Sequence, residues 1–300
     1  MGAVLWLGLL VISPGYVAAT PLRVAYAGSM GAVMDQKIGP AFAQTHGAEY
    51  QGIGQGAYGL AHLLESKQVR ADVFISITTG PMRIVIADGL VKEARPVAST
   101  QMVIAYSSKS KFATKFAAAA EGNEAWYKIL ELPGVRFGRT DPATDPQGRN
   151  IITTFLLASQ YYHQPTLAES ILGSWRNAAQ IFTEPSLLAR LESGQIDASS
   201  GYLSAAKSQH LPYLELPREI NLGDPAFFDS WYSKVNVAIE GPDSKPIVAK
   251  PEPLVFYAAV LTNAEHPELA AQFIDFLIGS EGQKLLRESG YDAPAGGKLQ

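Results

Sequence analysis

Two loops in this 300-residue chain combine the residue types that bind small anions. The first, residues 27–31 (Ala-Gly-Ser-Met-Gly), follows a short apolar segment, and the second, residues 138–150, is punctuated by Asp, Pro and Gly. The second loop leads directly into a pattern with helical spacing at 151–162. The first backbone N–H groups of a helix have no partner within the helix, and the positive end of the helix dipole lies there. The start of a helix is therefore a potential binding site for an anion. Because the loops are far apart in the chain, they predict a ligand held between two lobes.

The composition excludes several classes of function. There is no cysteine, which excludes disulfides, thiol catalysis, zinc–thiolate sites and iron–sulfur clusters. The five histidines are scattered without metal-ligand spacing, and the formal net charge of −4 argues against broad nucleic-acid binding. Neither a cofactor fingerprint nor a Ser/His/Asp arrangement with local support stands out. We therefore expect a protein that is not an enzyme and that uses no cofactor and no free metal cation.

The N-terminal segment has most features of a secretory signal. Residues 4–12 form an apolar run too short to span a bilayer, and small residues at 17–19 match the positions that a signal peptidase reads. No Lys or Arg precedes the apolar run, which departs from the usual pattern. The prediction is a signal peptide over residues 1–19 and a periplasmic protein. The alternative is a buried N-terminal strand.

Strand and helix patterns alternate along most of the remaining chain. This alternation predicts α/β architecture with parallel strands and helices on both faces of each sheet. The segment 217–253, rich in proline, glycine and aromatic residues, has no firm assignment. The main predicted strands are 22–26, 71–76, 101–106, 135–139, 179–182, 198–203 and 254–261, and the main predicted helices are 34–45, 60–68, 82–88, 112–130, 151–162, 167–172, 185–193, 268–278 and 281–287.

Four segments resemble the periplasmic substrate-binding proteins of ABC importers, and most of all the archaeal-type branch of the molybdate/tungstate binders. The C-terminal run 270–290 also resembles the closing helix pair of the wider superfamily. The resemblance extends over nearly all of the chain after residue 19. The four segments are Ala-Gly-Ser at 27–29, Ala-Asp-Val-Phe-Ile-Ser at 71–76, Gln-Met-Val-Ile-Ala-Tyr at 101–106, and the loop from Gly138 to Gly148.

The resemblance implies the type II periplasmic-binding-protein fold, in which two doubly wound α/β lobes are joined by two crossover strands and hold the ligand between them. Lobe I is expected over 20–102 and 254–300 and lobe II over 103–215, with 216–253 forming a hinge or part of lobe I. The implied function is delivery of an oxyanion, molybdate or tungstate first, to the membrane permease of an ABC importer by a monomer. The alternative is another small anion on the same scaffold, such as sulfate, phosphate or an organic carboxylate.

The resemblance also assigns ligand contacts. The Gly28–Ser29 loop is expected to offer a hydroxyl and a backbone N–H to the anion, although a serine there also suits a helix N-cap. Tyr202 is expected to donate its hydroxyl to an oxyanion oxygen, the alternative being a half-buried strand tyrosine. Asp145 matches the carboxylate that approaches the metal atom of the oxyanion, the alternative being a cap for the helix that begins near Gly148.

Several positions depart from the family pattern. Ile53 or Gln55, in a glycine-rich segment, stands where the family has a second ligand serine, and backbone N–H groups or the Gln55 amide could replace it. Gly201 stands where a glutamate precedes the tyrosine, and Arg149 stands where a tyrosine follows the Pro-X-Gly turn. Gly148 of that turn and Arg149 are counted among the expected ligand contacts. These changes favour a compact anion held by hydrogen bonds alone. The alternative for Arg149 is a solvated residue in the first turn of the helix.

Overall fold

The computed structural model describes residues 19–240 and 246–300, so nearly all of the predicted signal peptide lies outside the described residues. Two separate sheets, each covered by helices, form two lobes, and this confirms the predicted α/β fold of two lobes. Within the described ranges no helix has both the length and the apolar character needed to cross a membrane. The strands are β1 (Thr20–Ala27), β2 (Ala48–Gln55), β3 (Val73–Ile77), β4 (Arg95–Ser99), β5 (Met102–Tyr106), β6 (Phe137–Gly138), β7 (Ala198–Tyr202), β8 (Tyr213–Glu215), β9 (Val237–Glu240), β10 (Pro246–Ala249) and β11 (Val255–Val260).

The helices alternate with these strands. A helical segment after β1 begins with a 3-10 turn, Gly28–Met30, and includes a π-helical turn, Met34–Ile38. The α-helices are α1 (Gly31–Val33), α2 (Gly39–His46), α3 (Ala57–Glu65), α4 (Thr79–Ala87), α5 (Ala113–Ala120), α6 (Trp126–Leu130), α7 (Pro146–Tyr161), α8 (Leu167–Leu172), α9 (Glu184–Ser193), α10 (Leu203–Ser208), α11 (Pro267–Ile278) and α12 (Ser280–Glu288).

The first lobe contains a five-stranded sheet in the order β2-β1-β3-β11-β4. Strand β1 pairs in parallel with β2 and β3, and β11 runs antiparallel to β3 and β4. Because β1, β2 and β3 are parallel, their carboxyl ends lie at one edge of the sheet, where each is followed by a loop and a helix start. Ligands of open α/β sheets bind at such an edge.

The second lobe contains a four-stranded sheet in the order β6-β7-β5-β8. Strand β7 is parallel to β6 and antiparallel to β5, and β8 is antiparallel to β5. The chain crosses between the lobes after β4 and returns between β8 and β11. The antiparallel pair of β9 and β10 lies on this return path, and β9 contacts α7 of the second lobe.

The two lobes pack against each other. One contiguous cluster of buried apolar side chains includes Leu22 and Phe42 of the first lobe and Ile104 and Phe155 of the second. Burial of this apolar surface stabilises the arrangement in which the loop ends of the first lobe face the second lobe.

The segment 179–182 differs from its prediction as a strand. It forms one bridge, in which Ile181 pairs with Arg139, and no strand is assigned there. Arg139 donates its backbone N–H to Gln180 at 2.8 Å and accepts from Phe182 at 3.0 Å. The pairing partner β6 is only two residues long, which leaves no ladder for a longer strand.

Candidate functional site

The carboxyl ends of β1 and β2 bring two loops of the first lobe to the second lobe. Ser29, in the turn after β1, is 3% exposed, and its backbone N–H donates to the carboxylate of Glu184. A methyl group at Gly28 would collide with that carboxylate and would lie 3.6 Å from the backbone carbonyl carbon of Gln55. A side chain at position 28 would therefore displace the Glu184 carboxylate from its place against the backbone of this loop.

Ser29 is not a helix N-cap. It lies inside the 3-10 turn that begins at Gly28, and the N-cap position is Ala27. The Ser29 backbone carbonyl accepts a 3.3 Å hydrogen bond from the hydroxyl of Tyr291. The backbone of this turn is thus held from both sides, with its N–H directed at the second lobe.

Asp145 has the local role that its position before a helix predicts, because it is the N-cap of α7 and its Oδ1 accepts the N–H of Gln147 at 2.9 Å. It also faces the first lobe. A methyl group at Gly56, which precedes α3, would lie 3.3 Å from Asp145 Oδ2. Burial raises the pKa of Asp145 to about 6, although the N–H of Gln147 acts in the opposite direction.

Glu184, the first residue of α9, belongs to the site although the local sequence does not single it out. It is 7% exposed, and its Oε1 accepts the side-chain amide of Gln147 at 3.3 Å. Burial, followed by the charge of Asp145, raises the pKa of Glu184 well above its usual value. The only local signal is a Thr-Glu-Pro sequence at a helix start, where an acidic residue is ordinary.

Tyr202, the last residue of β7, lies beside the carboxyl groups of Asp145 and Glu184. It is 1% exposed, and its hydroxyl accepts a 3.0 Å hydrogen bond from the Asn150 side-chain amide, which leaves the hydroxyl proton free to be donated. Burial and then the charge of Asp145 raise its pKa well above the usual value, so the hydroxyl keeps its proton. Ser200 of the same strand donates to the side-chain oxygen of Gln147 at 2.8 Å.

Gly148 and Arg149 are turned toward the loop that precedes α7. A methyl group at Gly148 would lie 2.5 Å from the carbonyl oxygen of Thr140, so this glycine permits close packing of the helix on the loop. Arg149 donates from Nε to the carbonyl of Pro142 at 2.7 Å and from Nη2 to that of Ala143 at 3.3 Å. These bonds fix the guanidinium group, whose carbon lies 3.6 Å from the ring centroid of Tyr58 in the first lobe.

The glycine-rich end of β2 has a packing role. A methyl group at Gly54 would lie 2.7 Å from the ring of Tyr26, and one at Gly52 would collide with the carboxylate of Asp35, which accepts the Tyr26 hydroxyl at 2.7 Å. Ile53 packs against apolar residues of the first lobe, and Gln55 is exposed as a whole although its backbone adjoins Gly28.

The structure thus brings Ser29, Asp145, Glu184 and Tyr202 to one buried region between the lobes. Within the described part of the chain, no group of three or more His, Asp or Glu side chains could hold a metal ion. Two spaces flank the buried region. A cavity of about 260 Å³ is lined by residues that include Tyr58, Arg149, Asn150, Lys250 and Glu252, and a groove of about 500 Å³ is lined by residues that include Gly28, Asp35, Glu184, Glu192 and His210.

Comparison with known proteins gives one family. A family model described as bacterial extracellular solute-binding protein matches residues 22–292. The chain is 34% identical over 214 residues to the molybdate/tungstate-binding protein WtpA of Pyrococcus abyssi, covering 65% of this chain and 60% of that protein. It is 35% identical over 214 residues to WtpA of Thermococcus kodakarensis, covering 65% of this chain and 58% of that protein. The matched region thus spans about three fifths of the length of these relatives.

Solved structures share the fold. The periplasmic molybdate-binding protein of Azotobacter vinelandii superposes with a TM-score of 0.62 at 15% identity, over 91% of this chain and 100% of that chain. The sulfate-binding protein SubI of Mycobacterium tuberculosis superposes with a TM-score of 0.60 at 14% identity, over 91% of this chain and 87% of that chain. At such identities the likeness concerns the fold, which is the type II fold of periplasmic binding proteins, and the ligand has to be argued from the site.

Proposed function

Because the chain belongs to the family of bacterial extracellular solute-binding proteins, we propose that it binds molybdate or tungstate outside the cytoplasm and delivers the anion to the permease of an ABC importer. The family is one of solute-binding proteins rather than of enzymes. The names of the two archaeal relatives support the choice of anion, and the signal peptide expected at 1–19 supports the location. We further propose that the protein acts as a monomer.

The observation that carries the choice of anion is the pair of buried carboxyl groups, Asp145 and Glu184, beside the backbone N–H of Ser29. When they are ionised, these carboxyl groups repel an anion such as sulfate, whose central atom accepts no further ligand. The metal atom of molybdate or tungstate is a Lewis acid, which can accept a carboxylate oxygen and so convert repulsion into coordination. The pair of carboxyl groups therefore favours molybdate or tungstate over sulfate.

Glu184 also changes the expected mode of binding. The glycine at 201 suggested a site without a second carboxylate and an anion held by hydrogen bonds alone. Since Glu184 supplies a second carboxyl group from a different helix, we propose that Asp145 and Glu184 both approach the metal atom of the anion. The N–H of Ser29, which otherwise donates to Glu184, and the hydroxyl of Tyr202 then donate to the oxygens of the anion.

Calorimetric titration tests the proposed ligand. Molybdate and tungstate are expected to bind with one anion per chain, whereas sulfate and phosphate are expected to bind at least a hundredfold more weakly because they cannot accept the carboxylate oxygens. Equal binding of sulfate would contradict the role given to Asp145 and Glu184. X-ray absorption at the metal edge of the complex would then show whether the anion gains oxygen ligands on binding or stays tetrahedral.

A small organic carboxylate is the competing ligand class. The cavity of about 260 Å³ beside Asn150 is lined by Arg149 and Lys250, and an arginine can pair with a carboxylate through two hydrogen bonds. A panel of organic acids in the same calorimeter separates the two ligand classes. If an organic acid binds and neither metal oxyanion does, the proposed function is wrong in its ligand.

A further inference from the structure

The side chains of Arg149 and Tyr58 make a contact between the two lobes, beside the cavity of about 260 Å³. Arg149 is in the first turn of α7 in the second lobe, and Tyr58 is in the first turn of α3 in the first lobe. The guanidinium carbon of Arg149 lies 3.6 Å from the centroid of the Tyr58 ring. A guanidinium group stacked on an aromatic ring at this distance makes a favourable cation–π contact.

Each side chain of this stack is also fixed by contacts within its own lobe. Hydrogen bonds to the carbonyls of Pro142 and Ala143 fix the plane of the Arg149 guanidinium group in the second lobe. Tyr58 is 9% exposed, and a methyl group at Gly80 would collide with its hydroxyl, so the ring is packed against the start of α4. The stack is therefore a contact between two rigid surfaces, which favours one relative position of the lobes.

The start of α4 is itself tied to the return segment between the lobes. One oxygen of Glu252, Oε2, accepts three hydrogen bonds, from the N–H of Thr79 at 2.7 Å, the hydroxyl of Thr79 at 3.0 Å and the N–H of Gly80 at 2.8 Å. Next to the stack, the N–H of Gly59 donates to the carbonyl of Thr144 at 3.0 Å, which is a second bond between the lobes.

The stack lies beside the proposed anion site, where it can affect how fast the bound anion leaves. Tyr58, Arg149 and Asn150 all line the cavity of about 260 Å³. The side-chain amide of Asn150 donates a hydrogen bond to the hydroxyl of Tyr202. Because α3 belongs to the first lobe and α7 to the second, any opening that separates these two helices breaks the stack. We propose that the Arg149–Tyr58 stack is a latch between the lobes that sets the rate at which the bound anion leaves. This inference rests on the proposed function, because it takes an oxyanion as the ligand.

The latch predicts an effect on release. Loss of a partly buried cation–π contact corresponds to a change of about 3- to 30-fold in a rate or equilibrium constant. Arg149→Lys keeps the positive charge, which acts on Asp145, but removes the flat group that stacks. Tyr58→Leu keeps an apolar side chain but removes the ring. Each variant is expected to release molybdate about 3- to 30-fold faster, with an association rate within about twofold of that of the unmodified protein.

A double variant and a matched control make the test specific. Because both substitutions break the same contact, Arg149→Lys combined with Tyr58→Leu is expected to release molybdate no more than about twofold faster than the faster single variant. The control is Arg190→Ala, which removes an arginine from above the ring of Phe182, 4.7 Å away, within the second lobe. This control is expected to leave the release rate unchanged.

Stopped-flow intrinsic fluorescence measures the association and release rates of molybdate for the four variants and the unmodified protein. Multiplying effects in the double variant, or an equal effect of Arg190→Ala, would overturn the latch. If the unmodified protein binds neither molybdate nor tungstate, the proposed function fails, and the latch is then judged by small-angle X-ray scattering without ligand. In that case a larger radius of gyration in both single variants than in the unmodified protein and in Arg190→Ala supports the latch, and an unchanged radius rejects it.

Discussion

Asp145 and Glu184, which begin two different helices of the second lobe, are linked through Gln147. The backbone N–H of Gln147 donates to Asp145 at 2.9 Å, and its side-chain amide donates to Glu184 at 3.3 Å. Ser200 in turn donates to the side-chain oxygen of Gln147 at 2.8 Å, which fixes the orientation of the amide. The two carboxyl groups are thereby held in one place by a buried polar network.

The first prediction concerns this pair of carboxyl groups. If both act as ligands of the metal atom, Asp145→Asn and Glu184→Gln each weaken tungstate binding, by about tenfold or more, because an amide is a poor replacement for a carboxylate ligand. Calorimetry measures the affinity. Glu169→Gln, the same chemical change at an exposed position of α8, is the control and is expected to have no effect. Tighter binding by Glu184→Gln would instead show that its charge only repels the anion.

The second prediction concerns the hydroxyl of Tyr202. Tyr202→Phe removes a buried donor and leaves the Asn150 amide without its acceptor, so anion affinity is expected to fall about tenfold, within the range of about 1–3 kcal/mol for a buried unpaired group. Tyr161→Phe, at a residue that is 37% exposed, is the control. Unchanged affinity in Tyr202→Phe would place the anion elsewhere in the cleft.

The third prediction compares the stability of two variants, Gly148→Ala and Gly31→Ala. Gly148→Ala places a methyl group 2.5 Å from the carbonyl oxygen of Thr140 and 2.6 Å from the nitrogen of Pro142, both backbone atoms. We expect it to lower the free energy of unfolding by about 1–3 kcal/mol, the usual range for overpacking. A methyl group at Gly31 meets no atom within 4 Å, so Gly31→Ala is expected to be neutral or slightly stabilising. Chemical denaturation of both variants measures the difference, and equal stability would contradict the packing of α7 on its loop.

The fourth prediction concerns pH. Burial raises the pKa of Asp145 from 3.8 to about 6 in the folded protein, so between these values the folded state binds more protons than the unfolded state. This contribution to stability is present below about pH 4 and is lost as the pH rises through about 6. The raised pKa of Glu184 acts in the same direction.

Without ligand, the free energy of unfolding is therefore expected to be lower at pH 7 than at pH 5 on account of these groups. Asp145→Asn removes one titrating group, so the loss of stability between the two pH values is expected to be smaller in this variant. Denaturant titrations at both pH values test this. An identical pH dependence in the variant and the unmodified protein would show that Asp145 is not the group responsible.

The alternation of strand and helix patterns was sufficient to predict the two α/β lobes, because apolar periodicity reflects burial of each element on a sheet. The same reasoning failed for 179–182, where apolar residues suggested a strand. Whether such a segment extends into a ladder depends on its partner, and β6 offers only two residues.

Local sequence also determined the capping role of Asp145, because the bond to Gln147 joins residues two positions apart. The position of Glu184 could not be found in this way. Its neighbours Ser29 and Gln147 are more than thirty residues away in the chain, and an acidic residue at a helix start is usually solvated.

The sequence by itself therefore determined most of the elements, their alternation and the helix start at Asp145, since these depend on hydrogen bonds and apolar spacing between near neighbours. Only the tertiary structure decided that Glu184 joins Asp145, that Tyr58 stacks on Arg149, and that Gly52 and Gly54 make room for Tyr26 and Asp35. Each of these contacts forms when distant segments or the two lobes come together, and their energies depend on the burial that this closure produces.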